Sequence, residues 1–252
     1  MIIRPLIRNC GTASALLIAM LGTLAFAQEH PFDIIAVTKR MLQLEQAGHD
    51  AAALPWAEQA VLVSEGTLGF QHPTVAIYID HLATLHHRLG AFAQSEMLFR
   101  QALSIKEHAL GVDNTAVATT LAHLAKLYRT TRQPEQAEPL LQRALGIYEQ
   151  TLGQDNLTVA VTLSALADLY ADEGRYAEAE PLLRRALAIQ TQQSKPIYAG
   201  IAMTLENYAH LLRAMHRTFE AGEMDRRART ARMKIPVIRQ DAVQKMGAGE
   251  RG

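Results

Sequence analysis

The chain repeats itself every 42 residues, and this period constrains its fold more than any other feature. Aligned columns of alanine and of leucine need no insertion to stay in phase. They are Ala60, Ala102, Ala144, Ala186 and Ala228, and Leu85, Leu127, Leu169 and Leu211. A unit of this size cannot bury its own apolar face, so successive copies have to stack. The 252 residues are therefore predicted to form an array of repeats.

Each copy has the pattern of two helices. In the third copy Val117, Leu124 and Tyr128 share one helical stripe. Pro134 follows a short break and is expected to begin a second helix, because proline is accommodated in a first turn. That helix is expected to end near Gly153 in a left-handed cap. The sequence thus predicts an all-α fold of helix hairpins.

Two strings carry a family resemblance. TTLAHLAKLYRTTRQPEQAEPLLQRALGIYEQTLGQDN and VTLSALADLYADEGRYAEAEPLLRRALAIQ resemble the 42-residue tetratricopeptide repeats (TPR) of the kinesin light chain type. The resemblance implies a right-handed superhelix, an α-solenoid of about five antiparallel helix hairpins, whose first helices line a concave, peptide-binding face. It covers about residues 31–232. The predicted repeats are about 32–68, 69–110, 111–152, 153–194 and 195–234, and 235–252 is predicted to be a flexible tail.

The first 27 residues differ from the rest. Arg4 and Arg8 precede an uncharged, mostly apolar run that ends in the small-x-small pattern Ala25-Phe26-Ala27. This predicts a signal peptide over 1–27, cleavage after Ala27, and a periplasmic or secreted protein without a stable membrane span. An uncleaved inner-membrane anchor is the alternative, although a span needs about 20 apolar residues.

Composition and motifs exclude several classes of function. The 25 basic and 25 acidic side chains balance, which argues against binding nucleic acid through phosphates. Cys10 is the single cysteine, so an internal disulfide and a cysteine-based zinc site are excluded. The sequence contains no phosphate-binding glycine loop, nucleophile elbow or His-Glu-x-x-His motif. We expect no enzyme activity, cofactor or metal, and a metal site using His81 and His123 is a remote alternative.

The best candidate site is the groove face of the first helices. Because Leu124 and Tyr128 belong to the core stripe, Lys126 and Arg129 fall on the opposite stripe. The 42-residue shift extends this face to the other copies. The predicted groove residues are Asp80, His81, Thr84, His87, His123, Lys126, Arg129, Asp168, Asn207, His210 and Arg213.

The cations Lys126, Arg129 and Arg213 suggest an acidic peptide as the ligand, because each charge-assisted hydrogen bond contributes about 1.5–3 kcal/mol. In the resembling family an Asn-Asn pair before the Leu-Ala step binds the peptide backbone, and only Asn207 matches it here. The sequence predicts an exported, non-catalytic scaffold that binds a protein or peptide in its groove. A self-assembling structural protein, using its ends or its convex face, is the alternative.

Overall fold

The computed structural model describes residues 34–194 and 196–235. The predicted signal peptide and nearly all of the predicted tail lie outside these residues. Ten α-helices and no strand occur in the described ranges. They are α1 (Ile34–Gln46), α2 (Asp50–Leu68), α3 (Pro73–Arg88), α4 (Phe92–Leu110), α5 (Thr115–Thr130), α6 (Pro134–Leu152), α7 (Leu157–Asp172), α8 (Tyr176–Gln192), α9 (Tyr198–Ala214) and α10 (Thr218–Met233). The prediction of an all-α fold is confirmed.

The helices form two compact units. Unit 1 ends at Val112 and contains α1 to α4, and unit 2 begins at Asp113 and contains α5 to α10. Within each unit, short turns join consecutive helices into hairpins. Unit 1 therefore has two hairpins and unit 2 has three, in agreement with the predicted hairpin pattern.

Alanine occupies the helix–helix seams. Ala60, Ala102, Ala144 and Ala186, which share one column of the repeat, are all fully buried. A methyl group lets two helices approach closely, and the larger apolar side chains on either side then fill the space between them. The alanines of this column therefore occupy packing positions, where a larger side chain is expected to overpack the seam.

The links between hairpins follow a repeated scheme. Asn114 and Asn156 cap α5 and α7, and each side chain accepts a 2.8 Å hydrogen bond from a backbone N–H two residues later. Gly153 ends α6 with φ 89° and ψ 153°. The predicted left-handed cap at Gly153 is wrong in ψ, because the backbone continues in an extended direction toward the cap of the next helix. Positive φ still favours glycine there.

The turns inside the hairpins have positive φ in all five copies. Gly48, Gly90 and Gly174 occupy this position with φ between 72° and 79°. Arg132 and His216 occupy it in the other two copies, each with φ 60°. A side chain in the left-handed region strains the backbone by about 1–2 kcal/mol, so these two turns are strained relative to their glycine counterparts.

A cluster of charged residues joins neighbouring hairpins of unit 2. Glu138 on α6 accepts hydrogen bonds from Arg175 Nη1 at 2.7 Å and from the Tyr170 hydroxyl at 2.8 Å. Hydrogen bonding to Arg175 lowers the pKa of Glu138. Arg175 also lies 4.0 Å from the centroid of the Tyr170 ring. We call this set of three residues the Glu–Arg–Tyr cluster.

The next copy contains the same cluster with one residue moved. Glu180 accepts hydrogen bonds of 2.7 Å from Arg217 Nη1 and from the Tyr208 hydroxyl. Glu180 and Arg217 lie 42 residues after their counterparts, but the position 42 residues after Tyr170 is Leu212. Tyr208 lies one helical turn before Leu212, so its hydroxyl reaches the equivalent carboxylate, that of Glu180, from a different column. The hydrogen bond between tyrosine and glutamate is thus present in both copies, although the tyrosine occupies a different position of the repeat.

Candidate functional site

Unit 2 contains a cavity of about 550 Å³ on the face formed by its first helices, α5, α7 and α9. The second helices α6 and α8 contribute to its floor. Five of the predicted groove residues line it: His123, Lys126, Arg129, Asp168 and Asn207. The repeat register thus brings three columns of predicted residues to one cavity.

An ion-pair network crosses this cavity wall from α5 to α9. Arg129 Nε lies 2.6 Å from Asp172 Oδ2, and Arg129 Nη1 lies 3.7 Å from Asp168 Oδ2. Asn207 donates a 2.8 Å hydrogen bond from Nδ2 to Asp168 Oδ1. Burial raises the pKa of Asp168 to about 6, and Asp172 adds to this effect, whereas Arg129 and Asn207 oppose it. These residues bind one another across the three hairpins.

The charges available to a ligand differ from those expected. Arg129 is engaged by Asp172, and Arg213 pairs with Asp225 on α10. Lys126 is exposed, and no carboxylate in the described ranges lies within ion-pair distance of it. The predicted set of three cations is thus reduced to Lys126, because acidic residues of the neighbouring helices already neutralise the two arginines.

The predicted residues of unit 1 have contacts of their own. Asp80 is 7% exposed and forms a buried ion pair with Lys106 on α4. His81 Nδ1 lies 3.5 Å from Glu45 Oε1. The other two predicted residues of unit 1 also make contacts within that unit. Thr84 donates to the Asp80 carbonyl, and the His87 ring lies against Phe92. Asp80 therefore serves the interior of unit 1 rather than an open groove, contrary to its predicted position. In unit 2, His210 is exposed and is not part of the cavity lining.

Sequence reasoning missed an apolar column in the cavity. Val161 and Met203 line it, and they are 61% and 62% exposed. Thr119 occupies the same column of the preceding copy. The signal was available in the 42-residue alignment: apolar residues recur one turn before the polar groove columns, on a face where water is expected.

Two polar residues of the second helices were also missed. Tyr148 and Gln190 line the cavity floor and are 5% and 6% exposed. The Tyr148 hydroxyl lies 2.9 Å from Thr119 Oγ1. Burial raises the pKa of Tyr148, so the hydroxyl stays protonated. The helical spacing of Tyr148 places it on the core stripe of α6 and gives no indication that it reaches the groove.

Metal and membrane sites are not apparent in the part of the chain that the structure describes. No group of three or more His, Cys, Asp or Glu side chains there is arranged to hold a metal ion. His81 and His123 belong to different units. Over the same residues, no helix combines the length and the apolar character needed to cross a bilayer.

Comparisons with known proteins agree with the repeat architecture. The sequence model of the tetratricopeptide repeat family matches residues 74–150 and 116–192. BtubC (BKLC) from P. vanneervenii is 21% identical, with a TM-score of 0.69 over 87% of this chain and 89% of that chain. A kinesin light chain-type protein of nearly identical TPR-like repeats from Podosopora anserina is 23% identical, with a TM-score of 0.66 over 83% and 99% of the two chains. No curated protein sequence matches the chain.

At these identities the likeness to solved structures establishes the fold, and the family match establishes the repeat. Both agree with the helix hairpins of the two units and with the 42-residue period. The predicted α-solenoid and the predicted resemblance are confirmed. The chain is therefore a tetratricopeptide repeat protein with the fold of kinesin light chain-like repeats.

Proposed function

We propose that this protein is a non-catalytic scaffold that binds an extended segment of a protein partner in the groove of unit 2. The observation that carries the proposal is the exposed apolar column on the groove. Val161 and Met203 present more than half of their surface to solvent beside a cavity of about 550 Å³. Exposed apolar surface in a concave site, bordered by polar groups, is typical of ligand binding.

The chemistry around this column favours a peptide over a small charged metabolite. Hydroxyl and amide groups on the first helices border the apolar surface, including Thr204 and Asn207. Lys126 supplies one positive charge at the edge, with which an acidic group of the ligand can pair. A segment with an apolar side chain and a nearby acidic residue satisfies both features.

A selection experiment tests the proposal. A library of random 12-residue peptides displayed on phage is selected against the full chain, and the peptides obtained are titrated calorimetrically. Val161→Asp should weaken binding at least tenfold, because it places an unpaired charge against an apolar ligand group. Lys126→Ala should weaken it less and should reduce its salt dependence.

Arg213→Ala is the matched control. Arg213 is a cation on the same helix as Met203, but it pairs with Asp225 and lies outside the cavity lining. Its removal should leave affinity unchanged. Unchanged affinity in Val161→Asp, or failure of the library to yield any binding peptide, would reject the groove as the site.

A second candidate function rests on the last helix. Phe219 and Met233 on α10 are each 84% exposed. Exposed apolar residues on a terminal helix favour association between copies, as in the predicted self-assembling alternative. Sedimentation velocity over a hundredfold concentration range tests this candidate, and a monomer throughout would exclude it.

We propose further that the protein is exported to the periplasm or secreted. The support is the N-terminal sequence, in which Arg4 and Arg8 precede an apolar run ending at Ala27. Expression with the native N-terminus followed by Edman sequencing tests this proposal. A mature protein that begins at Gln28 supports export with cleavage, and an intact N-terminus in the membrane fraction contradicts cleavage.

A further inference from the structure

We infer that Gln190 is a ligand-binding residue of the unit 2 groove, where its side-chain amide hydrogen-bonds a backbone peptide group of the bound segment. The inference rests on the proposed function and names the group that reads the ligand backbone. It differs from the family pattern described above, because the amide comes from a second helix rather than from an asparagine pair on a first helix.

The first step is a column of buried polar residues on the second helices. The positions one repeat apart are Ser64, Lys106, Tyr148 and Gln190, with exposures between 1% and 6%. Four consecutive copies thus place a hydrogen-bonding group at the same depth. Burial of a polar group is costly unless a partner satisfies it, so each member of this column needs one.

The second step is that the other three members have partners within their own units. Ser64 Oγ donates to the Val61 carbonyl at 2.9 Å. Lys106 pairs with Asp80. Tyr148 forms its 2.9 Å hydrogen bond with Thr119. Each partner comes from the same helix or from the first helix of the same hairpin.

The third step is that Gln190 lacks the corresponding partner. The residue 42 positions after Thr119 is Val161, which has no hydrogen-bonding side chain. Gln190 Oε1 is fully buried and has no hydrogen-bond partner among residues 34–194 and 196–235. The change from threonine to valine therefore adds apolar surface to the groove, and it places no hydrogen-bonding side chain opposite the buried Gln190 Oε1.

The fourth step is access from the groove. Gln190 lines the cavity together with Val161, Met203 and Gly200. A Cβ at Gly200 would lie 3.7 Å from Gln190 Nε2, so the amide borders the surface of α9 where that helix has no side chain. A strand of ligand that rests an apolar side chain on Val161 and Met203 brings its own peptide groups beside this amide. Because Oε1 is buried in the free protein, the side-chain amide has to rotate toward the groove, where Oε1 then accepts a hydrogen bond from a ligand N–H.

The test uses a peptide selected from the 12-residue library on the full chain. Each backbone amide of that peptide is replaced in turn by an ester, which removes the N–H donor and weakens the carbonyl acceptor. We expect one position, or two adjacent ones, at which the ester lowers affinity for the wild-type protein about tenfold, the effect of one hydrogen bond. The same ester should cost less than twofold in the Gln190→Leu variant.

Two controls accompany this comparison of the amide and ester peptides with the wild type and Gln190→Leu. Gln192→Leu changes an exposed glutamine on the same helix and should retain the full ester effect. Gln190→Leu should unfold at the same temperature as the wild type or at a higher one, because an unsatisfied buried amide is replaced by an apolar group of similar size. A clearly lower unfolding temperature would show that the amide is already satisfied in the free protein, and it would overturn the inference.

The outcomes separate the inference from the function on which it rests. A peptide that binds, that is lost in Val161→Asp, and that shows the same ester profile with wild type and Gln190→Leu retains the proposed function and overturns the role of Gln190. The absence of any binding peptide overturns both. Coupling between Gln190 and one backbone position supports both.

Discussion

Replacing Asp168 by asparagine should stabilise the protein at neutral pH, although it removes one member of an ion-pair network. Asp168 Oδ1 accepts its 2.8 Å hydrogen bond from Asn207, and an asparagine carbonyl can accept the same bond. The ion pair that is lost is long, 3.7 Å from Arg129, which keeps its 2.6 Å contact with Asp172. What the substitution removes is a largely buried negative charge.

The magnitude follows from the pKa of this carboxyl group. Raising it from 3.8 to about 6 means that the folded chain holds the proton more tightly than the unfolded chain does. The ionised side chain therefore destabilises the fold above pH 6, and the effect disappears as the pH falls toward 3.8. At about 1.4 kcal/mol for each tenfold change in proton affinity, the full cost is about 3 kcal/mol above pH 6 and about 1 kcal/mol at pH 4.5.

Urea denaturation followed by circular dichroism measures this cost. The Asp168→Asn variant should be more stable than the wild type by about 2–3 kcal/mol at pH 7.5, and the difference should shrink to about 1 kcal/mol at pH 4.5. Comparing the two proteins at each pH cancels the titration of groups that do not interact with Asp168. Asp155→Asn, at an exposed position in the link before α7, is the control and should stay within about 0.5 kcal/mol of the wild type. A variant less stable than the wild type at pH 7.5, or a difference that does not change with pH, would refute the reasoning.

Three further substitutions test the packing and the turns. Arg132→Gly should raise the free energy of unfolding by about 0.5–1 kcal/mol, because glycine relieves a strained positive φ at some entropic cost; a loss of stability in thermal unfolding would contradict the turn assignment. Arg175→Ala should lower the urea midpoint, because it breaks a Glu–Arg–Tyr cluster. Arg229→Ala, at an exposed position of α10, is the control and should leave the midpoint unchanged. Equal midpoints for the two variants would show that the cluster does not stabilise the fold. Ala144→Leu should destabilise by about 1–3 kcal/mol by overpacking a fully buried seam, and wild-type stability would show that the seam has room.

The fold could be predicted from the sequence because the same pattern of apolar, proline and glycine positions recurs in several copies. In a single copy, a proline at the start of the second helix and a glycine at its end would leave the prediction of a helix pair ambiguous. The 42-residue period removes the ambiguity, because it predicts the same helix pair in each copy. The positive φ at Arg132 could not be predicted from that residue alone. Its glycine counterparts Gly90 and Gly174 occupy the same column, so the alignment of copies contains that information.

The candidate site was predicted less completely, for a reason that lies in long-range pairing. The helical stripe placed Lys126 and Arg129 on one face of α5, and both line the cavity, because the face of a helix on which a residue lies follows from periodicity. It did not show that Arg129 pairs with Asp172, 43 residues away, since that contact depends on how one hairpin stacks on the next. Asp80 likewise fell on the predicted stripe, but it turns inward to Lys106.

The second helices were the larger omission. Tyr148 and Gln190 reach the cavity floor from second helices, and the apolar spacing of these helices predicts that their stripes belong to the core. How far a side chain extends through a hairpin depends on its length and on the size of the residues opposite it. The helical period of a sequence indicates neither. Comparing the same column across copies, for hydrogen-bonding capacity as well as for size, would have identified both residues.

Photo-crosslinking tests the central claim most directly. A benzoylphenylalanine at position 203, in the groove, and one at position 219, on α10 outside the cavity lining, compare two highly exposed sites of the same protein. In the presence of a selected 12-residue peptide, irradiation should attach the peptide at Met203→benzoylphenylalanine and not at Phe219→benzoylphenylalanine. Equal attachment at both positions, or attachment at position 219 alone, would contradict binding in the unit 2 groove.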